Sequence, residues 1–128
     1  MIFRVSEVYG PSVNFGIVHE LMKRRKIVLK KGNHDFIYEG DLIHAIETAL
    51  HFNASGIFDI AFGKSISLEE LVTIVNRYRS SVIEVRWEKR IREEYEYNCE
   101  NFKFYKWQPL LAPSSGIRTI QKMLRIGK

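Results

Sequence analysis

Cysteine is almost absent from this sequence. Cys99 is the only one, so the chain can form no internal disulfide and no cysteine-based zinc site. Glycine is present but never clustered. None of the eight glycines stands in a G-x-G or G-x-x-G pattern, and the nearest pair, Gly10 and Gly16, lies six residues apart. A glycine-rich turn that brings backbone N–H groups and a helix N-terminus onto a dinucleotide pyrophosphate is therefore excluded. Long apolar runs are missing as well. No window approaches the ~18 consecutive apolar residues of a membrane span. The N-terminus, Met1-Ile2-Phe3-Arg4, meets a charge before any signal-like apolar stretch can develop. A cytoplasmic protein is the expectation.

What is present is ordinary for a globular domain: 128 residues, 45% hydrophobic and 27% charged. That length predicts one domain over residues 1–128. The net charge is +5, with Lys23-Arg24-Arg25-Lys26 and Lys30-Lys31 as its densest run. Such a run attracts phosphates or nucleic acid. It also suits a helix C-terminus, where cations complement the dipole. No helix-turn-helix, RNP or zinc pattern accompanies it, so a nucleic-acid partner is not expected.

Four helices are predicted. The first covers Ser12 to Arg25, with Ile17, Val18, Leu21 and Met22 on one face. The second has Asp41 as N-cap, and Leu42, Ala45, Ile46, Ala49 and Leu50 form its core stripe. The third opens on the capping box Ser67-Leu68-Glu69-Glu70. The fourth follows Pro113-Ser114-Ser115, with Ile117, Ile120 and Leu124 on one side. Short β-rich runs lie between them at Ile27–Leu29, Phe36–Tyr38, Ile57–Phe62 and Val82–Trp87, and Ile2–Val8 reads as a further strand. Alternating strands and helices give an α/β class. His44 and His51 are seven apart on the second helix, but no further ligands accompany them, so no metal site is expected.

Five segments, taken in order, resemble one family. Arg4-Val5-Ser6-Glu7-Val8-Tyr9-Gly10-Pro11 is similar to the R-x-x-N-V-Y-G-P stretch of extended short-chain dehydrogenases. Gly32 to Asp41 resembles their G-x-x-R-D-F-I-Y-V-x-D stretch. Gly56 to Gly63 and Ser65 to Leu71 resemble G-x-Y-N-I-G-x-G followed by S-I-x-E-L. Lys106-Trp107-Gln108-Pro109 resembles a late G-W-x-P. No single piece is specific, but their order and spacing are. The resemblance runs from Arg4 to about Leu124 and points to the NAD-dependent nucleotide-sugar epimerases and dehydratases.

The resemblance implies the small C-terminal, substrate-binding domain of that family, with about four helices and a few short strands, and without the Rossmann half. Residues 1–11 would be a remnant of the last strands of the missing domain. The catalytic pair of the family, a Tyr with Lys four residues later, has no counterpart: none of Tyr9, Tyr38, Tyr78, Tyr95, Tyr97 and Tyr105 is followed by Lys at that offset. The expectation is a truncated or split protein that is not catalytic alone and binds no cofactor alone, NAD belonging to the complete enzyme. A separate NAD-binding half, or self-association, would supply the partner. The alternative is a non-catalytic interaction module that uses the bared inter-domain face.

Carried over by position, the resemblance implies substrate contacts at Glu7, His34, Arg90 and Arg92. Glu7 stands at a family Asn, and its carboxylate would repel a diphosphate. His34 stands at a phosphate-binding Arg. Arg90 and Arg92 fall near an R-x-G-E loop whose Arg binds the diphosphate. Tyr9, Gly10 and Pro11 match residues beside the nicotinamide, a peripheral cofactor contact only if a Rossmann half is present.

Overall fold

A computed structural model describes residues 1–89 and 95–126. In chain order the elements are β1 (Ile2–Val5), β2 (Glu7–Tyr9), α1 (Gly16–Lys23), β3 (Lys26–Lys30), β4 (Asn33–His34), β5 (Phe36–Tyr38), α2 (Glu39–His51), β6 (Ile57–Ile60), β7 (Ile66–Ser67), α3 (Leu68–Tyr78), β8 (Glu84–Glu88), a 3-10 turn at Glu100–Tyr105, and α4 (Pro113–Ile126). The four predicted helices are all present, on a set of very short strands.

The strands pair two by two. β1 runs parallel to β6, β2 to β5 and β3 to β8, while β4 and β7 are antiparallel. The expected single strand Ile2–Val8 changes partner at Ser6. The Ser6 N–H donates to the Ile60 carbonyl at 3.0 Å, and the next N–H, that of Glu7, donates to the Asp35 carbonyl at 3.2 Å. Successive N–H groups of an extended chain point to opposite edges, which is why one strand serves two partners.

Two apolar clusters hold these pieces. Leu21 of α1, Leu71 and Val75 of α3, and Ile117 of α4 meet Tyr9 and Phe36 in the first. Ala45 and Ala49 of α2 meet Ile37, Phe58, Ile60, Phe102 and Trp107 in the second.

Several expectations are corrected. α1 begins at Gly16 rather than Ser12, because Gly16 sits at φ +89, which breaks the helical path before it. Asp41 does not cap α2. The helix opens two residues earlier, with Tyr38 at the cap position, and the Asp41 side chain turns inward. Its two oxygens accept the Leu110 and Leu111 N–H groups at 3.0 and 3.1 Å, and its carbonyl accepts the Trp107 indole N–H at 3.1 Å. The α2 stripe buries only in part: Ala45 and Ala49 are covered, but Ile46 and Leu50 are exposed, as is Ile43. On α4, Ile117 and Ile120 are buried and Leu124 is exposed. The cap of α3 is as expected, with the Ser67 hydroxyl oxygen accepting the Glu70 N–H at 3.1 Å.

Candidate functional site

A cavity of about 430 Å³ opens between β2, β3, the Lys31–Asp35 stretch and the Tyr95–Tyr97 stretch. Its position follows from the strand pairing. β2 delivers Glu7 to one wall, and β4 delivers His34 beside it, because the Glu7 N–H is tied to the Asp35 carbonyl next in line. Lys30, the last residue of β3, and Lys31 after it also line the cavity. Tyr95 and Tyr97, their rings 4.6 Å apart and steeply inclined to each other, line it as well.

Glu7 and His34 are in direct contact. His34 Nδ1 lies 2.6 Å from a Glu7 carboxylate oxygen. The imidazole is largely covered, and it stacks on Phe36 with ring centres 5.9 Å apart and planes 21° apart. Asp35, also on the cavity wall, is engaged elsewhere: its two oxygens accept the Phe62 and Gly63 N–H groups, each at 2.8 Å. The phenol of Tyr97 is pushed above the ordinary tyrosine range, first by burial and then by the nearby carboxylates of Asp35 and Glu7. It is therefore a neutral hydrogen-bond donor at physiological pH.

The structure thus joins two of the four substrate residues expected from the sequence. The other two, Arg90 and Arg92, lie outside the described residues. Lys30 and Lys31, part of the basic run that the sequence offers as an attractor of phosphates, also line the cavity.

Tyr9, Gly10 and Pro11 are elsewhere. They border a second, smaller cavity of about 210 Å³ beside α1 and α4. The Tyr9 ring is buried, and its hydroxyl donates to the Ala112 carbonyl at 3.4 Å. Gly10 is pressed against Glu39, whose carboxylate accepts the Ser12 N–H. This stretch is a turn packed on the start of α2.

These residues do not fit a dinucleotide. The chain has no glycine pair of the required spacing, and α2, the helix that follows β5, carries Glu39 and Asp41 in its first turn. Acids there oppose a pyrophosphate. Among the described residues no cluster of metal-ligating side chains is found, and no helix is long and apolar enough to cross a membrane.

No protein-family model and no curated protein sequence matches the chain. Solved structures do. An ADP-L-glycero-D-manno-heptose-6-epimerase from Helicobacter pylori superposes with a TM-score of 0.82 at 21% identity, over 96% of this chain and 43% of that one. A UDP-glucose 4-epimerase from Thermus thermophilus, in complex with NAD, gives 0.83 at 22% identity, over 96% and 45%. A dTDP-glucose 4,6-dehydratase from Bacillus anthracis, also with NAD, gives 0.81 at 17%, over 98% and 44%. The fold is that of part of an NAD-dependent epimerase or dehydratase. The chain spans less than half the length of each of these three relatives, and at these identities the likeness is one of fold.

Proposed function

We propose that this chain is the nucleotide-sugar-binding portion of an epimerase- or dehydratase-like enzyme, acting in chemistry only together with an NAD-binding half. One observation carries the reading. On a fold shared with sugar-nucleotide enzymes, one cavity of about 430 Å³ gathers two lysines, a carboxylate–imidazole pair and two tyrosines. Lysine ammonium groups suit phosphate oxygens, aromatic rings suit a base or sugar face, and Glu7 and His34 supply polar selectivity. Arg90 and Arg92 lie on the segment between β8 and Tyr95, and the proposal assigns them further phosphate contacts. Isothermal titration with UDP-, dTDP- and GDP-sugars tests this. Saturable binding to at least one series supports it, and no heat with any of them up to millimolar ligand contradicts it. Retention on immobilised NAD would contradict the assignment of the cofactor to another half.

A second reading, a non-catalytic interaction module, draws on the exposed apolar side chains. Ile43, Ile46 and Leu50 recur at i, i+3 and i+7 on the outer face of α2. Ile2 and Ile57, paired across β1 and β6, are exposed as well. Among the described residues β1 pairs only with β6, which leaves its other edge open. These exposed groups serve both readings: they would receive the NAD-binding half in the first and another protein in the second.

A further inference from the structure

Resting on the nucleotide-sugar reading of the cavity, we propose that Asp59 is a positioning residue that holds the Tyr95–Tyr97 stretch in place for the ligand. Asp59 does not itself line the cavity. It stands on β6 directly across from Arg4 of β1, and it is buried. A buried carboxylate is tolerated only where partners replace water. Asp59 has two. The Arg4 Nε–H donates to one of its oxygens at 2.7 Å, and the Asn98 N–H donates to the other at 2.8 Å.

The second of these bonds reaches the cavity. Tyr95 to Asn98 belong to no helix or strand. Among the described residues, no backbone–backbone hydrogen bond joins them to the rest of the chain. What ties the stretch to β6 is the Asn98 N–H on Asp59 and, one residue on, the Cys99 thiol, which donates to the Ala61 carbonyl at 3.9 Å. A thiol is a weak donor, whereas an N–H on a carboxylate makes a charge-assisted bond. Asp59 is therefore the stronger tie. Another part of the cavity lining depends on the same stretch of chain. The Phe62 and Gly63 N–H groups hold the carboxylate of Asp35, each at 2.8 Å. Residues 59–63 thus join two parts of the lining, with Asp59 carrying the tyrosines and the backbone after it carrying Asp35. Loss of the Asp59 side chain should free the tyrosines and leave Asp35 where it is. A ligand that meets the rings would then have to order them at an entropic cost.

Two measurements on the full chain test this. The first needs no ligand. Fluorine-19 NMR of the chain labelled with 3-fluorotyrosine reads the six tyrosines separately, once single Tyr→Phe variants assign them. Asp59→Ala should move the Tyr95 and Tyr97 signals toward their positions in urea. The signals of Tyr9 and Tyr38, packed in the first apolar cluster, should stay in place. The second measurement is calorimetry with UDP-glucose, dTDP-glucose and ADP-glucose, using whichever binds the wild-type chain. Asp59→Ala should weaken that ligand by about tenfold. Asp41→Ala is the control. It removes another buried carboxylate that holds backbone N–H groups, one that does not line the cavity, and it should alter neither the Tyr95 and Tyr97 signals nor the affinity. The proposal is overturned if the two signals stay in place in a folded Asp59→Ala chain, or if they move and the affinity does not change. It is also overturned if Asp41→Ala weakens binding as much, because the loss would then be one of general stability. In each of those cases the nucleotide-sugar reading survives. If none of the three ligands binds the wild-type chain, that reading fails, and the proposed role in binding fails with it. Where circular dichroism shows an alanine variant to be unfolded, Asp59→Leu, which fills the space without an acceptor, or Asp41→Asn takes its place and is judged by the same outcomes.

Discussion

The hydroxyl of Tyr9 fills the space that a side chain on residue 116 would need. A Cβ built on Gly116 would stand 2.0 Å from the Tyr9 oxygen and 2.6 Å from two ring carbons. Tyr9 ends β2 and Gly116 lies in the first turns of α4, so this contact seats the last helix against the strand that also carries Glu7. Gly116→Ala forces apart a buried ring and a helix backbone, and overpacking of this kind costs about 1–3 kcal/mol or more. Urea denaturation should show the loss as a lower midpoint with an unchanged slope. Tyr9→Phe in the same background should recover part of it.

Asp41 should matter through its carboxylate and not through helix capping. It is buried, and it holds the Leu110 and Leu111 N–H groups from 69 and 70 residues away. Asp41→Ala leaves both N–H groups without their acceptor and should cost about 2–4 kcal/mol. Asp41→Asn keeps one acceptor oxygen and should cost less. Thermal melts of the two variants give the order. Equal and small losses would show that the C-terminal loop is anchored by other contacts.

Alkaline pH should destabilise the fold through Tyr9. Burial, with help from Asp41 and Tyr38, raises its phenol well above the ordinary range. The unfolded chain ionises at about pH 10 while the folded chain holds the proton. Above that pH the unfolded state binds fewer protons, so stability falls as pH rises. It is fully present below about pH 10. Tyr38 and Tyr97 are shifted in the same direction and add to the slope. Urea midpoints measured from about pH 8 to about pH 11 should fall at the alkaline end, and less steeply for Tyr9→Phe.

The outer face of α2 should make the isolated chain adhesive. Ile43, Ile46 and Leu50 are exposed on successive turns. Sedimentation velocity should reveal concentration-dependent association that the double variant Ile46→Glu, Leu50→Lys abolishes without changing the far-UV spectrum. Monomeric behaviour of the parent chain at all concentrations would count against this face as a contact surface.

The helices are legible in the sequence because their signals are local. Ser67 and Glu70 announce α3, and the spacing of Ile117 and Ile120 announces α4 whatever surrounds them. Asp41 misleads for the same reason: before an apolar run it looks like a cap, and only the fold brings Leu110 and Leu111 to it. The α2 stripe is apolar as its periodicity says, but periodicity does not say which half of the stripe is covered. At the candidate site, Glu7 and His34 are each identifiable by position, as two separate departures from a phosphate site. Their contact spans 27 residues, and its meaning as a pair lies in the parallel pairing of β2 with β5. Lys30 and Lys31 carry no signal beyond their charge.

The account rests on the cavity bounded by Glu7, His34, Lys30 and Tyr97 being a nucleotide-sugar site. Nitrogen-15 NMR of the uniformly labelled chain, titrated with UDP-glucose, dTDP-glucose and ADP-glucose in turn, tests that most directly. The account predicts saturable amide shifts with at least one of them, concentrated from Leu29 to Asp35 and at Tyr95 and Tyr97. No saturable shift with any of the three up to millimolar ligand, or shifts centred instead on Ile43 to Leu50, would contradict it.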